Sequence, residues 1–459
     1  MGGGARRVVI VTSGSRGDVQ PYVALGLELA ARGHAVTVAT EARGRALVEE
    51  LGRGRVGFAL VAGDPVGILF ERQHQALLAR GRIVPVMMAV DRHNRPFQQQ
   101  ALADVAAACT GADVVVSSPL VLTATLCAAQ AARAAWVPVA LCGVQPTGAY
   151  PSWALASRPF RWRALNRATY SLLFAALWAG EARRINAWRA AALGLPPLAR
   201  GAAGVLAAAG GAIPVVQMAT AHMLPGQAPP PDWPPGSHLT GFAYMPATPE
   251  AEVDPRLAAF VAAPGGPPLY LGLGSMPAPD PRAMLQLAVG VTALTGRRAV
   301  LAAGWSDLAA AAGDGPGQVA LPAERLLLVP SAPHDWLLPR CCAAVHHAGV
   351  GTCGAVLRAG IPSVPCPVML DQHFNSERLA EAGVACQALP FREVTAQALA
   401  ARLDSVLGDA AMAARAAEVA REVAACGGVA AAADIILAAE SPWEALEQSG
   451  KLAPVPSKA

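Results

Sequence analysis

The sequence predicts an α/β protein of two Rossmann-like domains, each a parallel sheet flanked by helices and the two facing across a cleft. Three observations predict it. Short apolar runs rich in β-branched residues alternate with helical patterns in both halves, which is the signature of βαβ units. A proline-dense run, Leu224 to Gly236, separates the halves. The 459 residues exceed what one hydrophobic core accommodates.

In the first half, Arg7–Ser13 reads as a buried strand, and Pro21–Arg32 repeats apolar residues at helical spacing until Gly33 stops it. His34–Thr40, Ala112–Pro119 and Ala134–Leu141 are further short strands of a parallel sheet. Proline at the density of 224–236 favours extended, semi-rigid chain, so residues 224–239 are expected to link a first domain, 1–223, to a second, 240–435. In the second domain the strands are Pro267–Met276, Arg297–Trp305, Arg325–Pro330, Cys342–Thr352 and Ile361–Pro367. The tail, 436–459, carries Trp443 and Leu446 and is expected to cross back onto the first domain as a last helix.

Composition narrows the classes. With 54% hydrophobic and 15% charged residues the chain is not disordered. A net charge of +4 gives no reason to expect a nucleic-acid partner. Nine scattered cysteines, none in a Cys-x-x-Cys pair, suggest neither a disulfide framework nor zinc and fit a cytoplasmic location. The N-terminus lacks the pattern of a signal peptide. Gly201–Gln217 and Tyr170–Gly180 are apolar but short of the ~20 residues of a membrane span. Tyr170–Gly180, flanked by Arg163, Arg167, Arg183 and Arg184, is expected to be a buried or domain-facing helix. Peripheral membrane contact is the alternative.

The densest chemistry lies in "HHAGVGTCGAVLRAG", His346 to Gly360, where a strand ends and a helix begins near Thr352. Free N–H groups and the helix dipole make such a start an anion site, and Gly349 and Gly351 let the backbone approach a phosphate. His347 and Thr352 add hydrogen-bonding groups; an ordinary turn capped by Thr352 is the plain alternative. Asp371 and Gln372 follow the next strand, at the carboxyl edge where open α/β sheets bind ligands, and suit a polyol unless Asp371 merely caps a helix. Gly274 and Ser275, in "LGLGSMP", offer donors to a phosphate or form a tight turn, and Trp305 is placed to stack on a base or to fill a core. Three such loops on one sheet edge describe a nucleotide-sugar site. No carboxylate cluster calls for a metal ion.

The segments "GSRGDVQPYVALGLELAARGHAV", "LGLGSMP", "APHDWLLPRCCAAVHHAGVGT", "LRAGIPSVPCPV" and "DQ" together resemble the GT-B inverting glycosyltransferases of family 1, nearest the sterol glucosyltransferase and glycopeptide-antibiotic branch. The likeness spans both domains in order. It implies that the second domain binds a UDP- or dTDP-sugar, with His347 on the diphosphate, Gly349, Gly351 and Thr352 wrapping it, and Asp371 and Gln372 on sugar hydroxyls. His334 lies in the same block and goes with the donor side. Asp18 matches the general base, which takes the acceptor's proton; capping of the helix that follows is its plain alternative. The chain departs from the pattern where "HHGGAGT" reads "HHAGVGT", where "HFNSERL" follows Asp-Gln as in plant and macrolide members, and where Ser331 stands in place of the base-stacking tryptophan. Base recognition then falls to backbone groups or Trp305.

Met87, Met88, Trp153, Phe160, Trp162, Tyr170, Phe174 and Trp178 are the candidates to line an apolar acceptor cleft, with Met87, Trp153 and Phe174 foremost. A sterol, polyketide or carotenoid alcohol would fit. The expected partners are therefore an aglycone and a nucleotide sugar, with no cofactor beyond that co-substrate, and a monomer or weak dimer. Two other readings share the fold: a silent auxiliary protein and a nucleotide-sugar epimerase. Cys353, at the start of the donor helix, is expected to be buried and inert, or else alkylatable and protected by UDP.

Overall fold

The structure is a computed structural model and describes residues 4–79, 82–272, 280–304 and 308–455. The first domain is built on seven parallel strands: β1 (Arg7–Val11), β2 (Ala35–Thr40), β3 (Val56–Leu60), β4 (Val114–Ser117), β5 (Ala135–Ala140), β6 (Val215–Gln217) and β7 (Ser237–Leu239). Their order is β3-β2-β1-β4-β5-β6-β7. The second is built on β8 (Leu269–Gly272), β9 (Ala299–Ala302), β10 (Leu326–Val329), β11 (Ala343–His346) and β12 (Ser363–Pro365), in the order β10-β9-β8-β11-β12. Both orders reverse direction once, between β1 and β4 and between β8 and β11. Loops leaving those strands part at their carboxyl ends and open a crevice.

The strands are short apolar runs because both sheet faces are covered. On one face of the first sheet Val9, Val11, Val115 and Trp136 pack together; on the other Val8, Ile10, Val114 and Val137 do. The chain end returns to both faces. Ala432, Ala433 and Ile436 of the Gly428–Ala438 helix join the second layer, and Trp443 and Leu446 join the first. The Trp443 indole donates to the Ala134 carbonyl at 2.7 Å. This return begins at Gly428, ahead of the boundary expected at residue 436, because the small face of that helix fits against the first helix, Arg16–Ala31.

Two expectations are corrected. The proline-rich segment is not a free linker: β7 pairs with β6, Val215↔Ser237 to Gln217↔Leu239, and the Asp232 carboxylate binds Thr147, Gly148, Arg163 and Arg167. Proline sets its extended shape, but edge pairing and ion pairs hold it to the first domain. The second correction concerns Tyr170–Gly180, which lies in a long helix, Arg163–Leu193. Only the Tyr170 side of it is buried, and Leu172 and Leu177 are exposed. Strands β3, β6 and β7 were not expected from the sequence; each is short or weakly apolar and exists through pairing with a neighbour.

Candidate active site

The first loop, Thr12–Ser15, leaves β1 at the switch point. The first helix starts at Arg16, five residues before the apolar pattern, because Ser15 caps it and Asp18 completes a capping box. Asp18 Oδ2 accepts from the Ser15 amide at 2.8 Å and from its hydroxyl at 2.9 Å. The plain role and the candidate chemical one therefore coexist on one side chain. Gly14, at φ +125°, is required here, since a Cβ would meet Asp18 Oδ2 at 2.5 Å. Burial raises the Asp18 carboxyl above its ordinary value, against the Ser15 hydrogen bonds that lower it.

A second carboxylate, absent from the sequence reading, secures this loop. Glu41 follows β2, is buried, and binds the Ser13 hydroxyl, the Thr40 hydroxyl at 3.0 Å and the Gly14 amide at 3.4 Å. Burial raises its carboxyl as well, again against its hydrogen-bond donors. Its only sequence signal is an acid directly after a buried strand.

Across the crevice, β11 runs into the glycine loop, and the helix Val350–Ala359 begins two residues earlier than expected. Its N-cap is Gly349, so Thr352 lies inside the first turn and caps nothing. No side chain caps this start and no acid lies in its first turn. The leading N–H groups have no partner within the helix. Gly349 must lack a side chain because a Cβ would collide with His347 Nε2, whereas Gly351 faces open space. His347 is buried with its Nδ1 unpartnered, a polar atom that a ligand oxygen would satisfy. Burial, then the His334 charge, pushes its pKa down to about 4, so at neutral pH it is an uncharged donor.

Two residues here hold left-handed backbone without being glycine: Ala348, φ 64°, and Leu370, φ 54°. That conformation costs roughly 1–2 kcal/mol per residue. Ala348 stands where the family pattern has glycine. Both flank the candidate donor groups, where such strain clusters.

Asp371 caps the helix Gln372–Glu381 by position but makes no cap hydrogen bond. Its Oδ2 accepts from Asn375 Nδ2 at 2.8 Å, and the same amide reaches the Ala348 carbonyl at 3.0 Å. Asn375, one helical turn on, thus ties the two donor-side loops together; it too was missed. Gln372 Oε1 is occupied by the Val368 and Met369 amides at 2.8 and 3.0 Å, which leaves only its NH2 for a ligand. Burial raises Asp371 to about 6; the Asn375 bond opposes this and the Asp18 charge adds to it.

His334 accepts from the buried Tyr270 hydroxyl at 2.8 Å, or donates to it, and burial followed by the Arg16 charge lowers it to about 4. Cys142, just after β5, feels both the Asp371 and Asp18 charges and takes a hydrogen bond from Trp153. The structure thus brings Asp18, Trp153, His334, His347, Gly349, Gly351, Thr352, Asp371 and Gln372 around one gap. Gly274, Ser275 and Trp305 lie outside the described residues. Met87 is exposed on the helix Ile83–Asn94, whose Val86 packs on Met369 of the second domain. Phe174 is half-buried and packs on the cluster of Tyr150, Tyr170 and Leu224. Phe160 and Trp162 are exposed, and Trp178 lies against Gly201. Cys353 is wholly buried and its thiol is pushed well up by burial, the inert outcome.

The glycosyltransferase family 28 N-terminal domain matches residues 8–130, and the erythromycin biosynthesis protein CIII-like C-terminal domain matches residues 308–436. O-mycaminosyltylonolide 6-deoxyallosyltransferase of Streptomyces fradiae is 34% identical over 429 residues, 92% of this chain and 95% of that protein. The sterol 3-beta-glucosyltransferase of Leptosphaeria maculans is 32% identical over 383 residues, 82% of this chain but 25% of that protein. The chain thus spans about a quarter of the sterol enzyme it matches. Among solved structures, the glycosyltransferase of kitacinnamycin superposes with a TM-score of 0.62 at 20% identity, covering 94% of this chain and 98% of that one. The glycosyltransferase VinC, solved with dTDP, does so at 0.61 and 20%, with the same coverage.

Proposed function

This chain belongs to the GT-B glycosyltransferases, the family of the macrolide and sterol glycosyltransferases above, and on that premise we propose that it transfers a hexose, with inversion, from a UDP- or dTDP-sugar to a hydroxyl of a hydrophobic aglycone. The reading is supported above all by one observation: the Asp371 carboxyl of the second domain feels the charge of Asp18 of the first, beside an uncapped helix start. Asp18 takes the acceptor's O–H proton as its oxygen bonds to the anomeric carbon. The bond from that carbon to the β-phosphate oxygen breaks, and the nucleoside diphosphate leaves with the electron pair. The N–H groups of the Val350–Ala359 helix and the neutral His347 meet the charge that develops on the leaving group. Asp371 and the Gln372 amide hold sugar hydroxyls.

On this reading the stabilising charge comes from the protein and not from a metal ion. With its carboxyl raised above the ordinary value by burial, Asp18 is a stronger base than a free aspartate. The likeness to O-mycaminosyltylonolide 6-deoxyallosyltransferase favours a polyketide-type acceptor, and the dTDP bound in VinC favours a dTDP-sugar. Screening UDP- and dTDP-sugars against mixed hydrophobic alcohols by mass spectrometry tests the proposal. The expected product is a glycosylated acceptor, with one nucleoside diphosphate released per transfer. Donor turnover without acceptor would instead indicate an epimerase, and no turnover with any pair an auxiliary protein.

A further inference from the structure

The long helix Arg163–Leu193 has a face left exposed among the described residues. Along it Leu165, Ala168, Leu172, Ala176 and Ala179 recur at steps of three and four residues, and all are exposed. Leu172 is 65% accessible, and Trp162, just ahead of the helix, is 70% accessible. Arg161 lies just ahead of the helix start and Arg183 one turn beyond Ala179, and both are exposed. The stripe from Leu165 to Ala179 is about 21 Å long. Residues 161–180 contain no aspartate or glutamate. The nearest one, Glu181, turns inward to the Thr123 hydroxyl at 2.6 Å. Among the described residues no helix is long and apolar enough to cross a membrane.

We propose that this face lies on an anionic bilayer surface, with the leucines and Trp162 in the headgroup–acyl boundary and Arg161 and Arg183 on lipid phosphates. An apolar stripe with cationic ends and no acid is the pattern that binds in the plane of such a surface. Charge sets aside a second copy as the occupant. In either twofold pairing of two such helices, parallel or antiparallel, arginine meets arginine at both ends. The assignment does not depend on the glycosyl-transfer reading, although the helix begins next to the acceptor-side loop that carries Trp153.

Flotation of the full chain with vesicles tests it. The protein is expected to float with phosphatidylcholine vesicles containing phosphatidylglycerol and to stay behind with phosphatidylcholine alone. Leu165→Glu combined with Leu172→Glu should lower binding at least ~10-fold at unchanged melting temperature, since both positions are exposed. Arg161→Gln with Arg183→Gln should lower it less, and salt should abolish the difference. This pair also serves as the test if the glutamate variant does not fold. Absence of flotation with anionic vesicles, or equal flotation of wild type and both variants, would overturn the proposal. So would a wild-type dimer that Leu172→Glu dissolves.

Discussion

Two turns in this molecule share one plan and are finished in opposite ways. Both leave a buried parallel strand at a switch point and open a helix facing the same gap. In the first domain the helix start is closed by the chain itself: Ser15 caps it, Asp18 completes the box, and Glu41 holds the turn from behind. In the second domain the cap is Gly349 and no acid stands in the first turn. A helix start attracts negative charge. Where the protein supplies that charge, the turn has none of its attraction left for a phosphate and offers a carboxylate to the gap. Where it supplies none, the N–H groups remain open to an anion. Which turn serves as base and which as anion cradle is thus decided by a few side chains on one geometry.

The comparison can be broken. The largest effect is expected from Asp18→Asn. Asparagine still accepts the Ser15 hydrogen bonds, so melting temperature and donor affinity should stay near wild type while turnover falls by at least ~100-fold. Wild-type turnover in this variant would remove Asp18 from the chemistry. Next is Gly351→Asp, which makes the second turn resemble the first. Its side chain meets open space, so the fold should tolerate it, but a carboxylate at the anion cradle should weaken nucleotide binding by about 10- to 100-fold in calorimetry. Unchanged affinity would separate the diphosphate from this helix.

Glu41→Gln sharpens the comparison, since Glu41 acts only through the turn it holds. A drop in kcat of about 10-fold with little change in donor KM is expected, because a displaced base slows the step more than it weakens binding. A change in KM alone would place Glu41 elsewhere. The smallest effect is on stability. The folded Asp371 carboxyl titrates at about 6, above its ordinary value of 3.8, so the native state holds a proton that the unfolded chain has released between those values. Stability from this group is therefore present at low pH and lost as pH rises through about 6. Asp371→Asn should melt about 2 °C or more above wild type at pH 7.5, with the gap closing below about pH 4, even as transfer activity falls. A constant gap across pH would refute the ionisation account.

Much of the site was legible because its signals are local. Glycines, a histidine and an acid at strand ends mark His347, Gly349, Gly351, Asp371 and Asp18 without knowledge of tertiary contacts. Glu41, Asn375 and Tyr270 were not legible, because each acts on a residue brought to it by folding. Asn375 is only four residues from Asp371, yet its bond to the Ala348 carbonyl depends on how two strand-end loops meet.

By itself the sequence determined two parallel sheets, the turns at their carboxyl edges and the residue types at each turn, because strand pattern, glycine and capping chemistry operate over a few residues. Tertiary structure alone decided that the proline-rich run joins the first sheet as β7, that the chain end returns to that domain from Gly428, and that the Arg163–Leu193 helix leaves Leu165, Leu172 and Leu177 in solvent. Burial of an apolar side chain depends on what reaches it from elsewhere in the chain. An amphipathic pattern records only that one face is apolar, and cannot say whether protein covers it.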